Sequence, residues 1–300
     1  MISFTKNISA KGNDCRFSIV IPTWNNLKYL ELCVDSIIKN SAYEHQIIIA
    51  VNEGVDGTKK WVENHGFDHI YASSNIGICY ALNACRSLVR TKFIMYANDD
   101  MYFLPDWDVP ILEKINELTD YQSDIHKYYM ISSTLVEPSG DNPCAVIRDF
   151  GTDIETFRED DLLKEKDSLR RNDWRGSMWP PNVMPLDCWD LIGGMSIEFH
   201  PGMYSDPDIC RKMWEAGVRD FIGVGNSLVY HFGCKSTKRV RKNKGRKTFI
   251  QKWGITPRAF TERYLLRGRD MSEVADENDL PGPSDFGQVV KRILSCFGNK

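Results

Sequence analysis

Short apolar runs, each stopped by polar or turn-forming residues, alternate with helical stripes along the first hundred residues. Phe17 to Ile21 is a compact apolar run halted by Pro22, which reads as a buried first strand. Beyond Pro22, Thr23, Trp24, Asn25 and Asn26, apolar residues at Leu30, Val34, Ile37 and Ile38 recur at helical spacing. Gln46 to Val51 reads as a second strand, ending in the turn-rich stretch from Asn52 to Gly57. A helix over about Thr58 to His65, a short strand around His69 to Tyr71, and a helix from Gly77 to Arg90 follow. The run from Lys92 to Ala97 is a further strand, which opens onto Asn98, Asp99 and Asp100. Strand and helix alternating in this way predict an α/β fold with a mostly parallel sheet covered on both faces.

The middle of the chain, about 120–174, is less regular and rich in charge. It reads as a surface excursion holding a hairpin between Met130–Val136 and Ala145–Phe150. Residues 175–233 return to short apolar elements punctuated by glycine. The stretch from Lys235 to Lys247 is strongly basic and carries no acidic residue. Near the end, Phe286, Val289, Val290, Ile293, Leu294 and Phe297 form an apolar helical stripe with Lys291 and Arg292 opposite. That stripe suits packing on the domain, a dimer contact or a membrane surface.

Composition narrows the class. With 300 residues, 42% hydrophobic and 26% charged, the chain has ordinary globular values. A net charge of -3 speaks against general nucleic-acid attraction. Nine cysteines without a repeated Cys-x-x-Cys spacing predict neither a zinc site nor a regular disulfide framework, and the odd number fits a reducing compartment. The polar N-terminus does not resemble a signal peptide, and no apolar run approaches the roughly 20 residues of a membrane span. The expectation is a soluble, cytoplasmic protein, with peripheral membrane contact left open.

Ligands of parallel sheets bind beyond the carboxyl ends of the strands. That rule aligns Pro22 to Trp24, Asn52 to Glu53 and Asn98 to Asp100 along one crevice. Adjacent carboxylates at a strand end are hard ligands suited to Mg2+ or Mn2+, which commonly accompany a diphosphate. Ser18 to Asn26, Val51 to Thr58, Asn75 to Gly77 through Asn83, and Asn98 to Asp100 stand in an order that resembles family 2 glycosyltransferases of the GT-A fold. The likeness extends over roughly Phe17 to Gly233.

The resemblance implies a Rossmann-like central sheet with helices on both faces and a C-terminal helical extension. It divides the chain into an N-terminal tail (1–16) and a catalytic domain (17–233), with a nucleotide-sugar half (17–107) and an acceptor half (108–233). A basic lid loop and C-terminal segment (234–275) and a linker with an amphipathic helix (276–300) complete it. The donor would be a nucleoside-diphosphate sugar, and the acceptor a glycan or glycoconjugate hydroxyl.

Pro22 and Thr23 would line the base pocket, with Asn25, Asn52, Glu53 and Asn75 around it. Asn52 stands where the family usually has Asp, and an amide both donates and accepts. Asp99, with Asn98, would face the ribose. Asp100 would bind Mn2+ or Mg2+, with His231 as a further metal or diphosphate contact; a strand histidine is also a common core residue. Tyr204 to Arg211 is similar to the family's acidic motif at a helix start. It would make Asp206 the general base and Asp208 its supporting carboxylate or the cap, although Asp is in any case a preferred N-cap.

The basic stretch would close over the diphosphate, with nucleic acid and anionic lipid as rival uses. Trp174, Trp179 and Gly194 sit where the family forms its acceptor pocket; core packing is the competing use of either tryptophan. An inverting single displacement is the implied reaction, with a retaining enzyme or a silent sugar-binding module as alternatives.

Overall fold

The structure, a computed structural model, describes residues 4–8, 14–120, 128–233 and 243–297. Among these, eleven strands join one sheet: β1 (Phe4–Asn7), β2 (Ser18–Trp24), β3 (Gln46–Asn52), β4 (Asp68–Ala72), β5 (Phe93–Tyr96), β6 (Met101–Phe103), β7 (Tyr129–Glu137), β8 (Ala145–Ile147), β9 (Trp174–Arg175), β10 (Asn182–Pro185) and β11 (Asp220–His231). The order across the sheet is β1-β4-β3-β2-β5-β10-β7-β11-β6, with β8 beside β7 and β9 beside β11. β4, β3, β2 and β5 are mutually parallel. β10 is antiparallel to both β5 and β7, so β7 and its parallel partner β11 run in the same sense as β2 and β5. The carboxyl ends of β2, β3, β5, β7 and β11 therefore emerge along one edge.

The helices are α1 (Leu27–Asn40), α2 (Thr58–His65), α3 (Gly77–Cys85), α4 (Asp108–Asp120), α5 (Glu159–Glu165), α6 (Leu186–Ile192), α7 (Ser205–Glu215), α8 (Gly245–Trp253), α9 (Pro257–Ala259) and α10 (Phe286–Phe297). Side chains of a strand alternate between faces, and the two cores follow that period. Ile19, Ile21, Ile47 and Ile49 bury into one core with Val34 and Ile37 of α1 and Ile111 and Ile115 of α4. Val20, Ile48 and Ala50 face the other way, onto Leu82 of α3, Trp189 of α6 and Met213 of α7. Continuous apolar strands are what burial on both faces requires.

Four features depart from the sequence reading. The tail over 1–16 includes strand β1, which pairs antiparallel with β4 and covers that edge. The expected hairpin is a parallel pair, Leu135 facing Ala145 and Val136 facing Val146. The less regular, charged excursion after it holds a helix, α5, anchored by buried Leu162. Finally, the C-terminal segment that follows the basic stretch packs into the core, where Phe249, Ile250, Ile255 and Phe260 are fully buried. The most basic part of the expected lid, 235–242, lies outside the described residues.

Candidate active site

A cleft of about 790 Å3 opens at the shared strand edge. One wall comes from Pro22, Thr23 and Trp24 at the end of β2, Asn52 at the end of β3, Asn75 and Gly77 at the start of α3, and Asn98, Asp99 and Asp100 after β5. Glu137 and His231, the last residues of β7 and β11, complete the floor. Across from them lie Met178, Trp179 and Pro180, the turn 201–204, and Asp206 in the first turn of α7.

The acidic pair is held by sheet geometry. After Asp100 the chain enters β6, whose Met101 faces His231 in the antiparallel ladder with β11. The Phe232 amide donates to the Asp100 carbonyl (3.1 Å). The ladder sets the His231 Nε2 and Asp100 Oδ1 atoms 3.5 Å apart. On its other side His231 meets Glu137, with Nδ1 and Oε1 2.8 Å apart. If Nδ1 carries the proton and donates it to Glu137, Nε2 turns a lone pair toward the Asp100 carboxylate, and a cation between them is favoured. A carboxylate acting behind a histidine is the usual outer support of a metal-binding imidazole.

The donor set therefore fits a hard or borderline divalent cation. Two ligands at right angles, each at a bond length of about 2.1 Å, stand roughly 3 Å apart, close to the observed separation. Among the described residues no cluster of three or more protein ligands is preassembled. Such ions are commonly held by one or two protein groups, with substrate phosphates and water supplying the rest.

Several donor-side residues serve the scaffold. Asn52 donates to the Thr23 carbonyl (3.2 Å) and accepts from the Ile76 amide (3.0 Å), tying β2 to the loop before α3. Its side chain thus braces the backbone while lining the cleft, with one amide N–H and one oxygen lone pair beyond these two bonds. Glu53 accepts from Trp24 Nε1 and Asn25 Nδ2 (both 2.9 Å) and from the Asn75 amide (3.4 Å). Neither Glu53 nor Asn25 lines the cleft; they brace it from behind, so direct donor contact by these two is corrected. Asn75 lines the cleft while accepting from Gly77 N (2.8 Å). Gly77 itself has φ +69°, and a Cβ there would come within 2.6 Å of His200 Nδ1, so glycine is required. Thr23 lines the cleft, and its Oγ1 is buried without a hydrogen-bond partner among the described residues.

Asp206 occupies the second position of α7, directly after Ser205. The N-cap is Tyr204, in the left-handed region at φ +69°, and no side chain caps this helix, so capping does not account for Asp206. Burial pushes the Asp206 carboxyl up from 3.8 to about 7. The residue is half-buried and keeps an opening to the cleft. An acid poised there exchanges its proton near neutral pH.

Three other expected site residues are placed elsewhere. Asp208, fully buried, accepts from Trp253 Nε1 (2.8 Å) and pairs with Lys252 Nζ (2.9 Å), fastening α7 to α8 behind the cleft. Trp174 is a core residue: Nε1 donates to Thr134 Oγ1 (2.9 Å), and the ring fills the space left by Gly223. Gly194 packs against Trp189 and Asn83, and its carbonyl accepts from Lys212 Nζ. These replace the expected roles in base support and acceptor contact. Trp179 does line the cleft, with the Arg267 guanidinium over its ring at 5.5 Å.

The sequence reading missed Glu137 and the wall formed by Arg258, Thr261, Glu262 and Arg267. Glu137 was findable, since it is the polar end of an apolar strand. The 257–267 wall carries no such signal, because it reaches the cleft by packing on Trp179 and α7 from far along the chain.

The family model described as "Glycosyl transferase family 2" matches residues 18–164. The fold is similar to that of TarS 1-349 from S. aureus in complex with UDP-GlcNAc, at 13% identity and TM-score 0.50, over 72% of this chain and 58% of that one. It is also similar to GalNAc-T7 with UDP, GalNAc and Mn2+, at 14% identity and TM-score 0.55, over 79% of this chain and 48% of that one. The chain thus spans well under two thirds of either relative. No curated protein matches it. The fold is thus similar to that of the GT-A type, and the segment that matches the family model carries the strand ends that build one wall of the cleft.

Proposed function

We propose that the protein moves a sugar from a nucleoside-diphosphate sugar to a hydroxyl of a glycan or glycoconjugate, by a divalent-cation-dependent, inverting displacement. The observation that carries this reading is one cleft with Asp100, His231 and Glu137 at its floor and a raised-pKa carboxyl, Asp206, across from them. Thr23, Asn75, Asn98 and Asp99 would hold the nucleoside, and Asp100 and His231 would hold the cation, with Glu137 orienting the imidazole. When bound, Mn2+ or Mg2+ supplies Lewis-acid stabilisation of charge on the departing diphosphate.

Asp206 accepts the proton of the acceptor hydroxyl as that oxygen attacks the anomeric carbon, and the bond to the diphosphate breaks on the opposite face. Its carboxylate form is the active one, and a value of about 7 keeps it a competent base at neutral pH. Trp179 offers a flat apolar face suited to the ring of an acceptor sugar.

The experiment is release of nucleoside diphosphate from UDP-, GDP- and dTDP-sugars with Mn2+ or Mg2+, with and without acceptor glycans, and NMR of the product anomer. Turnover with inverted configuration is expected. Retained configuration would remove Asp206 as base, and binding without turnover across the panel would make the chain a sugar-nucleotide-binding module.

A further inference from the structure

Helix α10 is mounted the wrong way round for a helix that only packs on its own domain. Its amphipathic pattern is strong, yet the side turned to the protein is the polar one. Gln288 is only 7% exposed, and its Oε1 accepts from the Thr256 amide at 3.1 Å, which fixes the rotation of the helix. Ser295 and Arg292 lie on that same side and are partly covered. At the far end, Lys247 Nζ on α8 donates to the Cys296 carbonyl (3.3 Å).

With 100° between successive residues, Phe286, Val290, Ile293 and Leu294 fall within one stripe roughly opposite Gln288. They are 85%, 37%, 52% and 63% exposed. Isolated exposed apolar residues need no explanation, but a contiguous stripe on one helix marks an interaction face.

The charge around the stripe selects the partner. Lys291 is exposed on one flank, and the neighbouring α8 adds exposed Arg246 and partly exposed Lys247. Neither α8 nor α10 contains an acidic residue. An apolar stripe bordered by cations matches an anionic bilayer surface: side chains enter the acyl boundary while lysine and arginine reach lipid phosphates. A second copy of this face would set the same cations against one another. Among the described residues no helix is long and apolar enough to cross a membrane, so contact of this kind is interfacial.

We propose that α10 docks the protein on anionic membrane surfaces, its Phe286, Val290, Ile293 and Leu294 inserted and its basic flank facing the headgroups. The docking site is separate from the cleft and does not depend on the reaction assigned to it.

The test is co-sedimentation of the full chain with phosphatidylcholine vesicles and with vesicles containing about a third phosphatidylglycerol. Binding to the anionic vesicles is expected, weakened at high salt, and reduced on the order of tenfold or more by Ile293→Asp with Leu294→Asp. Lys291→Glu should reduce it severalfold. Because these side chains are exposed, circular dichroism and nucleoside-diphosphate release should be unchanged in the variants, which separates lost docking from lost folding. Three outcomes would overturn the proposal: no binding to anionic vesicles, equal binding by the double variant, or sedimentation showing that the stripe is buried in a homodimer that ignores vesicles.

Discussion

Asp206 should hold stability and activity in opposition, and replacing it separates the two. Its folded-state pKa is raised from 3.8 to about 7 by burial. A raised acid in the folded state binds its proton more tightly than in the unfolded chain, so unfolding releases protons between these values. Stability therefore falls as pH climbs from about 4 to about 7, and the penalty is complete above that. Three pH units at about 1.4 kcal/mol each give roughly 4 kcal/mol as the upper limit, less whatever solvent in the cleft mouth relieves. Asp206→Asn keeps the shape and removes the charge. Urea unfolding should give a variant more stable by at most about 1 kcal/mol at pH 4.5, and by about 2–4 kcal/mol at pH 8. Transfer should move the other way: kcat/KM of the parent should rise through an apparent pKa near 7, and the variant should lose on the order of 100-fold or more. A variant that transfers sugar normally, or whose stability gain does not grow with pH, would refute the reasoning.

Other perturbations test the rest of the site. Asp100→Ala and His231→Ala should weaken binding of the accepted nucleoside diphosphate at least tenfold with Mn2+ and little without it, while Glu137→Gln should cost about 10–100-fold in metal affinity, both read by calorimetry. Trp174→Ala should lower unfolding stability by about 3–5 kcal/mol and leave the acceptor KM of the folded enzyme unchanged, since the ring is core. Asp208→Asn, which breaks the tie to Lys252 and Trp253, should cost about 1–3 kcal/mol in the same assay with the pH profile of transfer preserved. At the opposite edge, burial alone would raise Asp108. Bonds from His45 and the Ala42 and Tyr43 amides outweigh it and hold the carboxyl below 3.8. Its stabilisation is in place above that pH and is lost as pH falls through the depressed value, so Asp108→Asn should flatten the acid limb of the thermal melting curve.

The sequence alone determined the strands and helices of the parallel half and the strand ends that meet at the cleft. Apolar runs at Ile19 to Ile21 and Ile47 to Val51, the first stopped by Pro22 and Thr23 and the second by Asn52, encode strand, burial and ligand edge in consecutive positions. The same rule, applied to the run ending at Glu137, reaches the carboxylate that supports His231. Only the tertiary structure decided which polar groups face solvent and which are consumed inside. Glu53 and Asp208 are chemically suited to a ligand, but partners 22–45 residues away hold them off the cleft. Trp174 and Trp179 look alike in sequence; one fills the notch at Gly223 and the other lines the cleft. For α10 the periodicity gave an apolar face, but not its direction. That was fixed by one bond from Thr256 to Gln288, formed between segments 32 residues apart, and pairings of that range leave no local periodicity to read.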